Sequence, residues 1–314
     1  MKQHLPRRLW IYGVSTLALV CIVISVFSTR RDISTFQGKT VPEWLDRLDS
    51  RNLEDRAKAM EAISSVGTNA LPILQEYIQA KDSWLKKKLI TLSRKQSLVN
   101  LSLNSASDRH RTARNGYAAL GSSAVPNLIE LFEDPILLYE DNPAYEASRV
   151  LSQLGSSAVP ALVRALTNTS STVRYHACFC LGWYDSLHSD SAVTALAERM
   201  EDPEWTVRCR AAHALGTIQR KSGITVQALA RGLRDPESAV RINSARGLAA
   251  FGERAAHAVP LLVSAQERES SFPECSSEPG LIGRKSRDDV VSAIKKALSA
   301  IDAETNELDV IAEP

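Results

Sequence analysis

The sequence predicts an all-α chain, a right-handed α-solenoid of stacked helix pairs preceded by a single transmembrane helix. Three observations predict it. One turn chemistry recurs at Gly67-Thr-Asn-Ala-Leu-Pro72, Gly121-Ser-Ser-Ala-Val-Pro126, Gly155-Ser-Ser-Ala-Val-Pro160 and, more loosely, Gly252 to Pro260. A second motif recurs as Ser171-Thr-Val-Arg174, Trp205-Thr-Val-Arg208 and Ser238-Ala-Val-Arg241, with Val-Arg pairs 34 and 33 residues apart. Ahead of both, Leu9 to Phe27 runs 19 residues without a charge. Self-similarity at a fixed period sets the architecture, because each short unit can bury its apolar face only against a neighbour.

Taken in order, residues 1–8 form a short basic tail and residues 9–27 the anchor. At about 1.5 Å per residue the uncharged run comes close to spanning a hydrocarbon core of about 30 Å. It also outruns the apolar stretch of a cleavable signal peptide, and Ser25-Val26-Phe27-Ser28 fits a small-residue cleavage site badly. Lys2, Arg7 and Arg8 on one side nearly balance Arg30, Arg31 and Lys39 on the other. The short tail then places the repeats on the extracytoplasmic side. Residues 28–39 read as a linker, and Thr40-Val-Pro42-Glu43 as a capping box that starts a helix through Trp44, Leu45 and Leu48.

The solenoid spans 40–301, with clear repeats over 53–266. Each unit reads as a helix ending in Leu-Gly (Leu181-Gly182, Leu215-Gly216), a short turn, a helix opening near a proline, and a turn marked Asp-Pro at 134, 202 and 235. Glycine closes a helix in the left-handed conformation, and proline in a first turn forfeits no helical hydrogen bond. Ser83 to Ser107 and Ile136 to Asn142 interrupt the pattern, the first with a Lys-rich helix. A loop over 267–285, a closing helix over 288–301 and an acidic tail over 302–314 complete the chain.

These residues resemble HEAT repeats, in particular the variety first noted in phycobilin lyases. The best match is Asp202-Pro203-Glu-Trp-Thr-Val207-Arg208-Cys-Arg-Ala211-Ala212-His-Ala214-Leu215-Gly216. The resemblance implies a protein-binding scaffold without chemistry of its own. Its lyase branch implies the alternative of a chromophore-attaching or other modifying enzyme.

Composition narrows the partners. The chain carries 38 basic and 36 acidic residues. Removing Lys2, Arg7, Arg8, Arg30 and Arg31, which precede the first acid, leaves 38 − 5 = 33 against 36, a net charge of −3 from Asp32 onward. That lacks the positive field nucleic acid needs. Five cysteines at irregular spacing give no disulfide framework. Gly38-Lys39-Thr40 lacks the earlier glycine of a phosphate loop, since position 33 is Ile33. No catalytic motif stands out, so neither a cofactor nor a small-molecule substrate is expected.

Three residue sets are candidates. Arg174, Arg208 and Arg241 recur at one repeat position; the resemblance implies structural pairing with turn carboxylates, Asp202 with Arg208 and Asp235 with Arg241. Arg114, Tyr175, His176, Arg210, His213, Asn243 and Arg246 fall on helices that in HEAT proteins line the concave surface. That mildly basic, aromatic stripe suits another protein or an acidic peptide segment. His176 with Cys180 and Cys209 with His213 are spaced i, i+4, the only hint of a metal, and buried thiols beside surface histidines explain it better.

Overall fold

A computed structural model describes residues 35–95, 104–133, 142–184, 189–271 and 287–311. The first element is one the linker reading missed. Thr35–Phe36 (β1) and Lys39–Thr40 (β2) pair antiparallel across Gln37 and Gly38, both at positive φ (50° and 75°). Two positive φ values in succession are what a tight hairpin turn needs. The hairpin sits on helix α1, Val41–Arg47: Trp44 Nε1 donates to the Phe36 carbonyl at 2.9 Å. The Glu43 carboxylate accepts from the Thr40 amide at 2.7 Å and from its hydroxyl at 2.9 Å, closing the first turn.

Helix pairs follow: α2 (Leu53–Val66) with α3 (Leu71–Ile78), then α4 (Trp84–Lys95) as an added helix, then α5 (Ala106–Leu120) with α6 (Val125–Glu130). Next come α7 (Pro143–Leu154) with α8 (Val159–Ala165), α9 (Ser171–Trp183) with α10 (Asp190–Glu198), and α11 (Trp205–Ile218) with α12 (Ser222–Gly232). The array closes with α13 (Ser238–Phe251), α14 (Val259–Ser271) and α15 (Arg287–Ile311). Two rows result. Helices α5, α7, α9, α11, α13 and α15 lie side by side in one, here called the Val-Arg row; α6, α8, α10 and α12 line the other. Their shared core is largely alanine, leucine and valine, such as Val207, Ala211, Ala214 and Leu215.

Glycine serves two distinct purposes. Gly67, Gly121, Gly155 and Gly252 stop their helices at φ between 52° and 63°, and a single 3-10 turn then leads into a helix with proline in its first turn at Pro72, Pro126 and Pro160. Gly182 and Gly216, expected as helix stops, lie inside α9 and α11 instead. Their role is close approach: a Cβ on Gly216 would sit 2.6 Å from the Gly247 Cα, and one on Gly182 would strike Ala214. Gln219, at φ 50°, caps α11 in their place. Gly216→Ala should therefore destabilise by about 1–3 kcal/mol, although alanine is the better helix former. Gly223→Ala, in α12 with nothing within 4 Å of the new carbon, should leave stability unchanged or raise it. Urea midpoints of the two variants check the contrast.

The membrane expectation needs correction. Among the described residues no helix is long and apolar enough to cross a membrane, so a single-pass placement with the repeats on the extracytoplasmic side is not supported. The longest helix, α15, has 25 residues but carries Asp288, Asp289, Lys295 and Lys296, whose burial in hydrocarbon is costly. The Leu9 to Phe27 run lies outside the described residues, as do the Asp134-Pro135 turn, most of the Ile136 to Asn142 insertion and residues 272–285. Two boundaries move. Residues 267–271 continue α14, and α15 runs on to Ile311 past the expected end at 301.

Candidate functional site

The arginine ladder is built differently from expectation. Arg174 donates from Nε and Nη2 to Asp202 at 2.7 and 2.8 Å, and from Nη1 to the carbonyls of Asn168 and Thr169 at 2.9 and 3.0 Å. Arg208 repeats the pattern one unit on, gripping Asp235 at 2.6 and 3.0 Å and the carbonyls of Asp202 and Pro203 at 2.9 and 3.2 Å. Arg241 reaches Glu269 at 2.8 Å and the carbonyls of Asp235 and Pro236, each at 2.9 Å. Each guanidinium thus takes the main chain of the turn before its helix and a carboxylate 27 or 28 residues further on, not the carboxylate of that preceding turn as anticipated. Asp202 and Asp235 also accept the amides of Glu204 and Glu237, at 3.0 and 2.9 Å. One carboxylate so shapes its turn and ties it to the preceding repeat.

The residues expected on an open surface divide. Arg114 is engaged, its Nη1 donating to Glu146 at 2.6 Å, so it is paired within the array rather than facing a partner. Tyr175 and His176 are buried. The imidazole of His176 stacks on Phe132 at 5.3 Å and its Nε2 has no hydrogen-bond partner. Burial, reinforced by the Arg210 charge, holds its pKa down to about 4. Asn243 turns to Cys209 Sγ at 3.0 Å and the Ala239 carbonyl at 3.0 Å.

What remains open is a patch on α9, α11 and α13. Arg210 lies over the rings of Tyr175 and Phe179 at 4.7 and 5.2 Å and donates to the Tyr175 hydroxyl. Trp183, 56% exposed, stacks on Phe179 at 5.4 Å and on His213 at 6.4 Å. Arg246 is exposed on the next helix. His213 is held below the usual histidine range by burial and then by the Arg210 and Arg246 charges. On α11, Thr206, Arg210, His213 and Thr217 share one helical stripe by spacing, away from the buried Val207, Ala211 and Leu215. Phe179 and Trp183 were not anticipated. Aligning the Val-Arg pairs would have found them, because Phe179, His213 and Arg246 then fall in one column and Trp183, Thr217 and Ala250 in the adjacent one.

The i, i+4 pairs His176 with Cys180 and Cys209 with His213 do not come together in one cluster. Cys178 and Cys180 are fully buried, burial pushing the Cys180 thiol up to about 12 and that of Cys178 higher. Among the described residues no group of three or more His, Cys, Asp or Glu side chains could hold an ion.

These features define a class, a two-row helical-repeat solenoid tied by a ladder of arginine–carboxylate bridges. The family model of HEAT repeats matches residues 137–216 and 193–272, which supports reading the helix pairs over that stretch as HEAT repeats. The match is to HEAT repeats at large, and it does not support the resemblance to the phycobilin-lyase variety in particular. No curated protein matches the chain. Among solved structures it is similar to a designed armadillo repeat protein in complex with the peptide (KR)4, at 14% identity over 84% of this chain and 100% of that one, TM-score 0.41. It is also similar to human deoxyhypusine hydroxylase, at 20% identity over 84% and 96% of the two chains, TM-score 0.34. Kap121p is similar at 13% identity over 83% of this chain and 33% of that one, TM-score 0.46.

Proposed function

We propose that this chain is a repeat scaffold that binds an acidic segment of another protein across the patch formed by Trp183, Arg210, His213 and Arg246. The observation that carries the reading is electrostatic. Along the Val-Arg row, Arg114, Arg174, Arg208 and Arg241 each hold a carboxylate. Arg210 and Arg246 form no ion pair among the described residues, and both charges bear on His213. Uncompensated cations next to an exposed tryptophan are the composition of protein hot spots, where planar charge and rigid aromatic area carry most of the energy. Stacking of Arg210 on two rings pre-orders its guanidinium, which lowers the entropy cost of binding.

A fluorescent glutamate–tyrosine peptide is a suitable probe. Wild type should bind it with an affinity that falls as salt rises. Trp183→Ala and Arg246→Glu should each cost about 2 kcal/mol, roughly thirtyfold in Kd. Equal affinity for a lysine–tyrosine peptide, or binding unchanged in both variants, would rule this patch out.

A further inference from the structure

Helix α4 is amphipathic in the wrong sense for a helix that packs on a repeat array. Among its described side chains, through Thr91, the buried one is Ile90, while Trp84, Leu85 and Leu89 are 73%, 59% and 42% exposed. By helical spacing these three share the side roughly opposite Ile90, where an ordinary surface helix presents polar groups. Lys88 falls among them, over the Trp84 ring at 5.1 Å, and Lys87 borders that side beyond Trp84; both are exposed. Lys86 is already tied to Asp82 at 2.9 Å. The outward face therefore consists of tryptophan, leucine and lysine, with no acidic residue from Trp84 to Lys95.

We propose that this face docks on an anionic lipid surface, the helix lying flat with Trp84, Leu85 and Leu89 at the headgroup boundary and Lys87 and Lys88 on the headgroup phosphates. The contact is made from one side and involves no span. Two arguments favour lipid over protein. Lysine is depleted at protein interfaces, whose usual cation is arginine, as in the patch on α9 to α13. Tryptophan with leucine on one side and lysine around it is the composition of helices that lie in a membrane interface, and each lysine near such a surface adds electrostatic attraction.

The test reads α4 itself, by amide hydrogen exchange on the full chain. Vesicles of phosphatidylcholine with phosphatidylserine should slow exchange over Trp84–Lys95 severalfold, whereas phosphatidylcholine alone should not. Lys87→Glu with Lys88→Glu should abolish the slowing, as should Leu85→Ser with Leu89→Ser; all four side chains are exposed, so the fold should survive, which circular dichroism checks. Unchanged exchange on phosphatidylserine vesicles would overturn the proposal. So would equal slowing in the charge-reversed variant, or protection by an acidic amphipathic peptide but not by lipid.

Discussion

Asp202→Ala is expected to cost about 3–5 kcal/mol, because it strands the Arg174 guanidinium without its counter-charge. The Asp202 side chain is fully buried and that of Arg174 is 10% exposed, so water cannot replace the lost bond. Asp202 also holds the Glu204 amide at 3.0 Å, the turn that starts α11. The loss falls on the coupling between two repeats. In a near one-dimensional array such a loss should lower the urea midpoint and also broaden or split the transition, since stability is close to a sum of repeat and nearest-neighbour terms. Arg174→Met combined with Asp202→Leu should recover much of the stability, as replacing both ions removes the uncompensated charge. A cost below about 1 kcal/mol for Asp202→Ala would mean that the ladder contributes little.

Acid should destabilise the protein through His176. Its folded pKa lies near 4, below the value of about 6.5 expected in an unfolded chain. Above pH 6.5 both states are neutral and the group leaves stability independent of pH. Between about 6.5 and 4 the unfolded state takes a proton that the folded state refuses, so stability falls as pH drops, by up to about 3 kcal/mol in all. His176→Leu removes both the titration and the unsatisfied Nε2. The variant should unfold at nearly the wild-type urea concentration at pH 7.5 and at a higher one at pH 4.5. Parallel pH dependences of the two proteins would contradict the burial of His176.

The repeat period and the turns were legible in the sequence because both rest on local chemistry. Glycine at Gly67, Gly121 and Gly155 meets a positive φ, and proline five residues later meets a first helical turn. What could not be read was any feature that depends on the next repeat. Spacing cannot say whether Arg208 folds back to Asp202 or reaches forward to Asp235, and the structure uses both, one through a carbonyl and one through a carboxylate. Gly182 and Gly216 look like helix stops by position, but their neighbours Ala214 and Gly247 come from adjacent helices. Tyr175 and His176 look exposed on a helical wheel, but the ring of Phe132, from the turn after α6, covers His176. The patch itself was half legible. Arg210, His213 and Arg246 were named, whereas Trp183, one turn on in the repeat alignment, joins them through its stacking on Phe179 and His213.

Site-specific photocrosslinking tests the central claim most directly. A photoreactive residue at exposed Thr217 or Ala250, beside the patch, is compared in cells with one at exposed Arg234, in the turn that follows α12. The account predicts that Thr217 and Ala250 capture the same protein through an acidic segment, that Arg234 does not, and that Arg210→Glu with Arg246→Glu abolishes the capture while the fold persists. Capture from Arg234 alone, or capture at Thr217 and Ala250 that survives the charge reversal, would contradict it.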